Sequence, residues 1–124
     1  MTKKILIVED ESSILMSLEF LMRHDGYEVR VATRGEEVLP CIRDFIPDLV
    51  LLDVMLPQRN GFELCRDIRA NAEWAELKII ILSAKGREIE VQRGLDSGAD
   101  AYITKPFATS ELRQQVRQLV ESAR

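Results

Sequence analysis

Pro47-Asp48-Leu49-Val50-Leu51-Leu52-Asp53-Val54-Met55-Leu56-Pro57 carries an uninterrupted apolar run into a carboxylate and halts soon afterwards at a proline. Pro47 favours an extended entry, and Leu49 to Leu52 include no polar residue that would mark a solvent-facing side. Such a run is expected of a strand covered on both faces, as in a parallel sheet. In open parallel sheets ligands lie in the crevice beyond the carboxyl ends of the strands, which is where Asp53 falls. An aspartate there can also serve merely as the cap of the next turn. Its role therefore depends on what the other strand ends bring.

Upstream, Ile5-Leu6-Ile7-Val8 reads as a second buried strand that delivers Glu9 and Asp10. Ser12 or Ser13 is placed to cap a helix whose Ile14, Leu15, Leu18, Leu21 and Met22 recur at helical spacing before Gly26 stops it. Tyr27, Val29 and Val31 alternate with Glu28 and Arg30, the pattern of a half-exposed edge strand. Thr33-Arg34-Gly35-Glu36 fits a capping box ahead of a helix with Val38, Leu39, Ile42, Phe45 and Ile46 on its apolar stripe. Pro40 predicts an irregular start or a bend in that helix.

Downstream, the turn formers in Leu56-Pro57-Gln58-Arg59-Asn60-Gly61 precede a helix with Phe62, Cys65 and Ile68 inward, ending before a strand over Leu77 to Leu82. That strand finishes at Ser83-Ala84-Lys85-Gly86. Residues Arg87 to Ser97 show only a weak stripe, chiefly Ile89 and Leu95 with Val91 off the face. The interior Gly94 costs about 1 kcal/mol relative to alanine, so a marginal, mobile helix is expected. Ala101-Tyr102-Ile103 is a short last strand, followed by Thr104-Lys105-Pro106. The final helix turns Leu112, Val116, Leu119 and Val120 inward and Arg113, Gln114, Arg117 and Gln118 outward.

Strand and helix alternate five times, which calls for an α/β fold: one doubly wound, five-stranded parallel sheet with right-handed crossovers. A chain of 124 residues accommodates one such domain, spanning 1–124, and no second domain of ordinary size. The alternation does not give the strand order.

Composition narrows the function. A net charge of −4 supplies no basic stripe for phosphate backbones, so direct nucleic-acid binding is not expected. The longest fully apolar runs are far too short to cross a bilayer, and the apolar start breaks at Glu9, so neither membrane insertion nor a signal peptide is expected and a cytoplasmic location is. Cys41 and Cys65 lack the spacing of a metal or redox motif and read as buried free thiols. His24 falls at a helix end, where a cation suits the dipole, and not in a catalytic setting.

Four of the five strand ends offer a polar group: Glu9 and Asp10, Asp53, Ser83, and Lys105. Parallel strands would bring these to one edge. Three neighbouring carboxylates repel one another, and a hard divalent cation with oxygen ligands, Mg²⁺ above all, relieves that repulsion. Lys105 can pair with Asp53 or with a phosphoryl oxygen, and Ser83 can donate to the same oxygen. The set suits phosphoryl transfer to Asp53 as nucleophile, giving an acyl phosphate.

With these residues in view, the chain resembles the response-regulator receiver domains of two-component signalling over nearly its whole length. The resemblance rests on Lys4 to Glu11, on Asp48 to Pro57 with Gly61, on Ser83-Ala84-Lys85, on Gly98 to Ile103, and on Lys105-Pro106-Phe107. It implies a flavodoxin-like (βα)5 three-layer sandwich with strand order 2-1-3-4-5. It further implies Asp53 as phosphoacceptor, and Glu9, Asp10, Asp53 and the Met55 backbone carbonyl as Mg²⁺ ligands. Ser83 and Tyr102 become switch residues and Lys105 the phosphate partner. The implied donor is a histidine kinase or a histidine phosphotransfer protein. Output passes to a protein target through the last helices and strand, by a monomer or a phosphorylation-dependent dimer. A domain of this kind catalyses only its own phosphorylation and dephosphorylation and is not otherwise an enzyme.

Three positions depart from the common pattern: Glu9 for aspartate, Ser83 for threonine, and Ala108 where a capping residue is usual, leaving Thr109 or Ser110 to cap. Two rival readings are a Mg²⁺-dependent aspartyl-phosphate phosphatase, which would want an acid where Met55 stands, and an unphosphorylated scaffold. An alternative reading is that the span is the receiver half of a truncated transcription factor.

Overall fold

The structure is a computed structural model and describes residues 2–56, 59–84 and 87–122. Pro57, Gln58, Lys85 and Gly86, which belong to two of the motifs above, lie outside the described residues. Among the described residues five strands alternate with five helices: β1 (Lys4–Val8), α1 (Ser12–His24), β2 (Glu28–Ala32), α2 (Val38–Phe45), β3 (Leu49–Asp53), α3 (Gly61–Arg69), β4 (Lys78–Ser83), α4 (Glu88–Asp96), β5 (Ala101–Thr104) and α5 (Thr109–Ser122). All four strand pairings are parallel, and the order across the sheet is β2-β1-β3-β4-β5. Every residue of β3 is buried, as its apolar run requires.

Alternation along the strands divides the core into two layers. Leu6, Val8, Val50, Leu52, Ile79 and Ile81 pack with Val38 and Ile42 of α2 and with Phe62, Leu64, Cys65 and Ile68 of α3. On the opposite face, Ile5, Ile7, Leu49, Leu51, Ile80, Leu82 and Ile103 pack with Leu18 and Met22 of α1 and with Leu112, Val116 and Val120 of α5. Each fully buried leucine or isoleucine contributes roughly 2 kcal/mol of transfer free energy, so the sheet and its flanking helices form a rigid base for the loops at the carboxyl edge.

Several local expectations are corrected. Glu11, not Ser12 or Ser13, occupies the N-cap of α1, and Ser13 Oγ instead donates to Glu11 Oε2 (3.0 Å). The box before α2 closes one residue later than the sequence suggests: Glu37 Oε1 accepts the Thr33 and Arg34 N–H groups at 3.0 and 3.3 Å. A 3-10 turn over Gly35–Glu37 puts Pro40 in the first turn of α2, where its missing N–H is harmless, so the irregular start is realised. Ile46 is not on the buried stripe of α2. It caps the helix in the left-handed region (φ 53°) with its side chain 71% exposed. Ala108 holds the capping position of α5, its carbonyl accepting the Leu112 N–H (3.2 Å), so neither Thr109 nor Ser110 does. Cys65 is buried as expected, whereas Cys41 is only half-buried.

The largest correction concerns α4. Ile89 and Leu95 face outward, 69% and 39% exposed, while the buried residues are Gly94 and, just past the helix, Ser97. Val91, read as off the face, is half-buried with Glu90 on the inner side. A methyl group built on Gly94 would lie 2.5 Å from Tyr102 Cδ2, so the ring of β5 fills the space of the absent side chain.

Candidate functional site at the carboxyl edge of the sheet

Parallel pairing brings the predicted residues to one edge because each strand stops at the same level. Asp53, the last residue of β3, pairs in register with Leu82, one position before Ser83. Glu9 and Asp10 follow β1 directly, and the Glu9 N–H donates to the Ala32 carbonyl (3.1 Å), extending the ladder by one bond. Lys105 follows β5, and its N–H donates to the Ser83 carbonyl (2.7 Å). Its peptide bond to Pro106 is cis.

Glu9, Asp10 and Asp53 each bring a carboxylate oxygen within 4.8 Å of the others. Glu9 and Asp53 are only 1% and 4% exposed, while Asp10 is open to solvent. Lys105 Nζ donates to Glu9 Oε1 at 2.9 Å and to Asp53 Oδ1 at 3.4 Å. The sequence suggested Asp53 as its first partner. Glu9 is the closer one, reached by the extra methylene that distinguishes it from aspartate. The Met55 N–H donates to Asp53 Oδ1 (3.2 Å), fixing the carboxylate from the loop side, and the Met55 side chain is exposed.

Among the described residues three carboxylates face one ammonium, so this set carries an excess of negative charge. Burial, and then repulsion by Glu9, push the Asp53 carboxyl up to about 6, against the pull of Lys105 and the Met55 N–H. Burial works against the charge on Lys105, but its bond to Glu9 and the field of Asp53 outweigh that and raise it. The donor set is all oxygen, with no histidine or cysteine, and the exposed Asp10 leaves one side open to water. That is the chemistry of a magnesium site and not of a zinc site.

Ser83 is fully buried beside this cluster. Tyr102, in β5, is half-buried, with its ring against Gly94 of α4. Gly61 is a site residue that spacing alone did not reveal, packed against the Asp53–Val54 backbone.

The family model of the response regulator receiver domain matches residues 5–117. The chain belongs to that family. Over all 124 of its residues it is 42% identical to the phosphate regulon transcriptional regulatory protein PhoB of Rhizobium meliloti (strain 1021), of which it covers 55%, so this receiver domain spans about half the length of that relative. Among solved structures it superposes on an inferred response regulator of Chloroflexus aurantiacus J-10-fl with a TM-score of 0.93 and 36% identity, covering 98% of this chain and 99% of the other. The receiver domain of the sensor histidine kinase PA1611 of Pseudomonas aeruginosa PAO1 superposes with a TM-score of 0.89 and 28% identity, covering 98% and 100%, and holds a magnesium ion in its active-site cleft. The receiver assignment, the strand order and the flavodoxin-like class are therefore those the sequence led one to expect. Among the described residues no helix is long and apolar enough to cross a membrane.

Proposed function

We propose that this receiver domain accepts a phosphoryl group on Asp53 from a histidine kinase or histidine phosphotransfer protein. In this reading Mg²⁺ is held by Glu9, Asp10, Asp53 and the Met55 backbone carbonyl. The observation that carries it is the convergence of three carboxylates and the Lys105 ammonium on the carboxyl edge, with the nucleophile candidate at the end of the most buried strand. When bound, Mg²⁺ offsets the charge of the carboxylates and of the transferring group.

An Asp53 oxygen attacks phosphorus as the P–N bond to the donor imidazole breaks, and the electron pair of that bond returns to the imidazole nitrogen. Lys105 shifts from its carboxylate partners toward a phosphoryl oxygen, and the buried Ser83 hydroxyl donates to another. The acyl phosphate carries roughly −1.5 to −2 charges where the carboxylate carried −1, and movement of Ser83 toward that charge opens room for the Tyr102 ring to turn inward. The thinly packed α4, with β5 and α5, then settles into a second arrangement that a protein partner reads or that lets two copies associate. The domain acts on itself alone and turns over no external phosphate ester. A cytoplasmic location belongs to this reading and accords with two free cysteines.

A second reading of the output is favoured by one finding. Identity to PhoB runs through the whole chain and stops at 55% of the relative. On that basis the domain is the receiver part of a transcription regulator whose DNA contacts lie outside this span.

The test is labelling by a small phosphoramidate donor. Wild-type protein should be labelled in Mg²⁺ and not in chelator, and Asp53→Asn protein should not be labelled. Undiminished labelling of that variant would defeat the proposal.

A further inference from the structure

Gly61 has no conformational reason to be glycine. It is the first residue of α3, and its φ is not positive, unlike those of Gly26 and Gly98. What the position demands is closeness. A Cβ built there would lie 2.7 Å from the Asp53 carbonyl oxygen, 2.7 Å from Val54 Cα and 3.2 Å from the Asp53 carbonyl carbon. All three are backbone atoms at the end of a central strand, so no side chain can swing aside to make room.

The contact belongs to a clip around the acceptor. Gly61 N–H donates to the Val54 carbonyl (2.9 Å), and Met55 and Asn60 form an antiparallel bridge. The Asn60 side chain caps α3 through the Phe62 N–H (2.7 Å), and Phe62, Leu64, Cys65 and Ile68 anchor the helix in the core. On the other side, Val54 N–H donates to the Leu82 carbonyl (3.2 Å), closing the strand. Between these restraints sits the three-residue turn whose Met55 N–H holds Asp53 Oδ1. The orientation of the carboxylate is thus set by how closely α3 approaches residues 53 and 54.

We infer that Gly61 is a positioning residue for phosphoryl acceptance: its lack of a side chain lets α3 seat against the Asp53–Val54 peptide and hold the acceptor carboxylate in line with Glu9, Asp10 and Lys105. The inference rests on Asp53 as the acceptor. An alanine at position 61 must move from 2.7 Å to an ordinary contact of 3.4 Å or more, so the helix and the strand end separate by about 0.7 Å. Misplacement of a reacting group by roughly 1 Å can cost about 10²-fold in rate, so a loss of at least ten-fold is expected here.

The experiment compares wild type, Gly61→Ala and Ile5→Val, each as the full chain, by phosphoramidate labelling rate at saturating Mg²⁺, Mg²⁺ dissociation constant and thermal melting. Ile5→Val trims the opposite core layer at the far end of β1, paired with Leu49 and away from the acceptor, and serves as the control for lost stability alone. The expected result is that Gly61→Ala, while folded, labels at least ten-fold more slowly and binds Mg²⁺ more weakly, whereas Ile5→Val melts lower but labels as wild type. Should Gly61→Ala fold only with a stabilising osmolyte, all three are measured in it. Equal labelling rates and Mg²⁺ affinities for folded Gly61→Ala and wild type overturn the inference. Failure of wild type itself to label overturns the assignment of Asp53 instead.

Discussion

At the scale of single residues, the decisive feature is a carboxylate buried where it would prefer not to be charged. Folding raises the Asp53 carboxyl from 3.8 to about 6, so the native state holds its proton more tightly than the unfolded chain. Its contribution to stability is then most favourable below pH 3.8 and declines as pH rises toward 6. Asp53→Asn removes that cost. In chelator at neutral pH the variant should be more stable than wild type, by up to about 3 kcal/mol at 1.36 kcal/mol per pH unit, and the gap should vanish in acid. Paired denaturant melts across pH check this, and a gap that is constant with pH would contradict it. The residues of this cluster were legible in the sequence because strand ends place them without reference to side-chain conformation. That Lys105 pairs most closely with Glu9 was not legible, since a long flexible side chain chooses among neighbours by distances that no spacing encodes.

At the scale of elements, α4 shows where hydrophobic periodicity fails. Its inner face presents a glycine, and the apolar surface that fills the gap comes from Tyr102 on another strand, so counting apolar residues points to the wrong side. Ile46 misleads for a related reason: spacing puts it on the stripe of α2, but the helix has already ended in a left-handed turn before Pro47. The weak hold on α4 was legible, and the structure explains it by having only Gly94 buried within the helix. Gly94→Ala gains about 1 kcal/mol in helix propensity and loses about 1–3 kcal/mol to overpacking, so the overlap with Tyr102 should win. The expected outcome is a lower melting temperature and a Tyr102 ring displaced from α4, seen in its aromatic NMR signals. An unchanged ring environment would show that α4 yields instead.

Helix α5 is tied elsewhere. Arg113, expected to face solvent, donates two bonds to Asp25 at the end of α1 (2.6 and 2.9 Å), and that bonding lowers the Asp25 carboxyl from 3.8. A depressed folded value means stability that is present above pH 3.8 and lost as pH falls through the folded value. Arg113→Ala should therefore melt below wild type at neutral pH, with the difference closing in acid. The melting curves across pH are the check.

At the scale of the whole molecule, the contrast is between a densely packed sheet and a helix, α4, that buries little of its own surface. The two-layer core clamps β1, β3 and β4, which end in the acid cluster and Ser83, while β5 carries Lys105 and the Tyr102 ring against the least anchored helix. On the proposed reading most of the chemistry sits on the well-packed strands and its readout on α4, so that charge at Asp53 would change packing over α4 without disturbing the fold. Fold class was legible from five alternations of period, but strand order was not. Alternation says which elements are strands, whereas order depends on which crossover lies on which face, and only the resemblance of the motifs supplied it. The central claim is that Asp53 itself becomes an acyl phosphate. Protein treated with phosphoramidate and Mg²⁺, reduced with borohydride and sequenced by mass spectrometry, should carry homoserine at position 53 and at no other aspartate, and chelator should abolish it. Homoserine at another position, or none at 53 in labelled protein, would contradict the account.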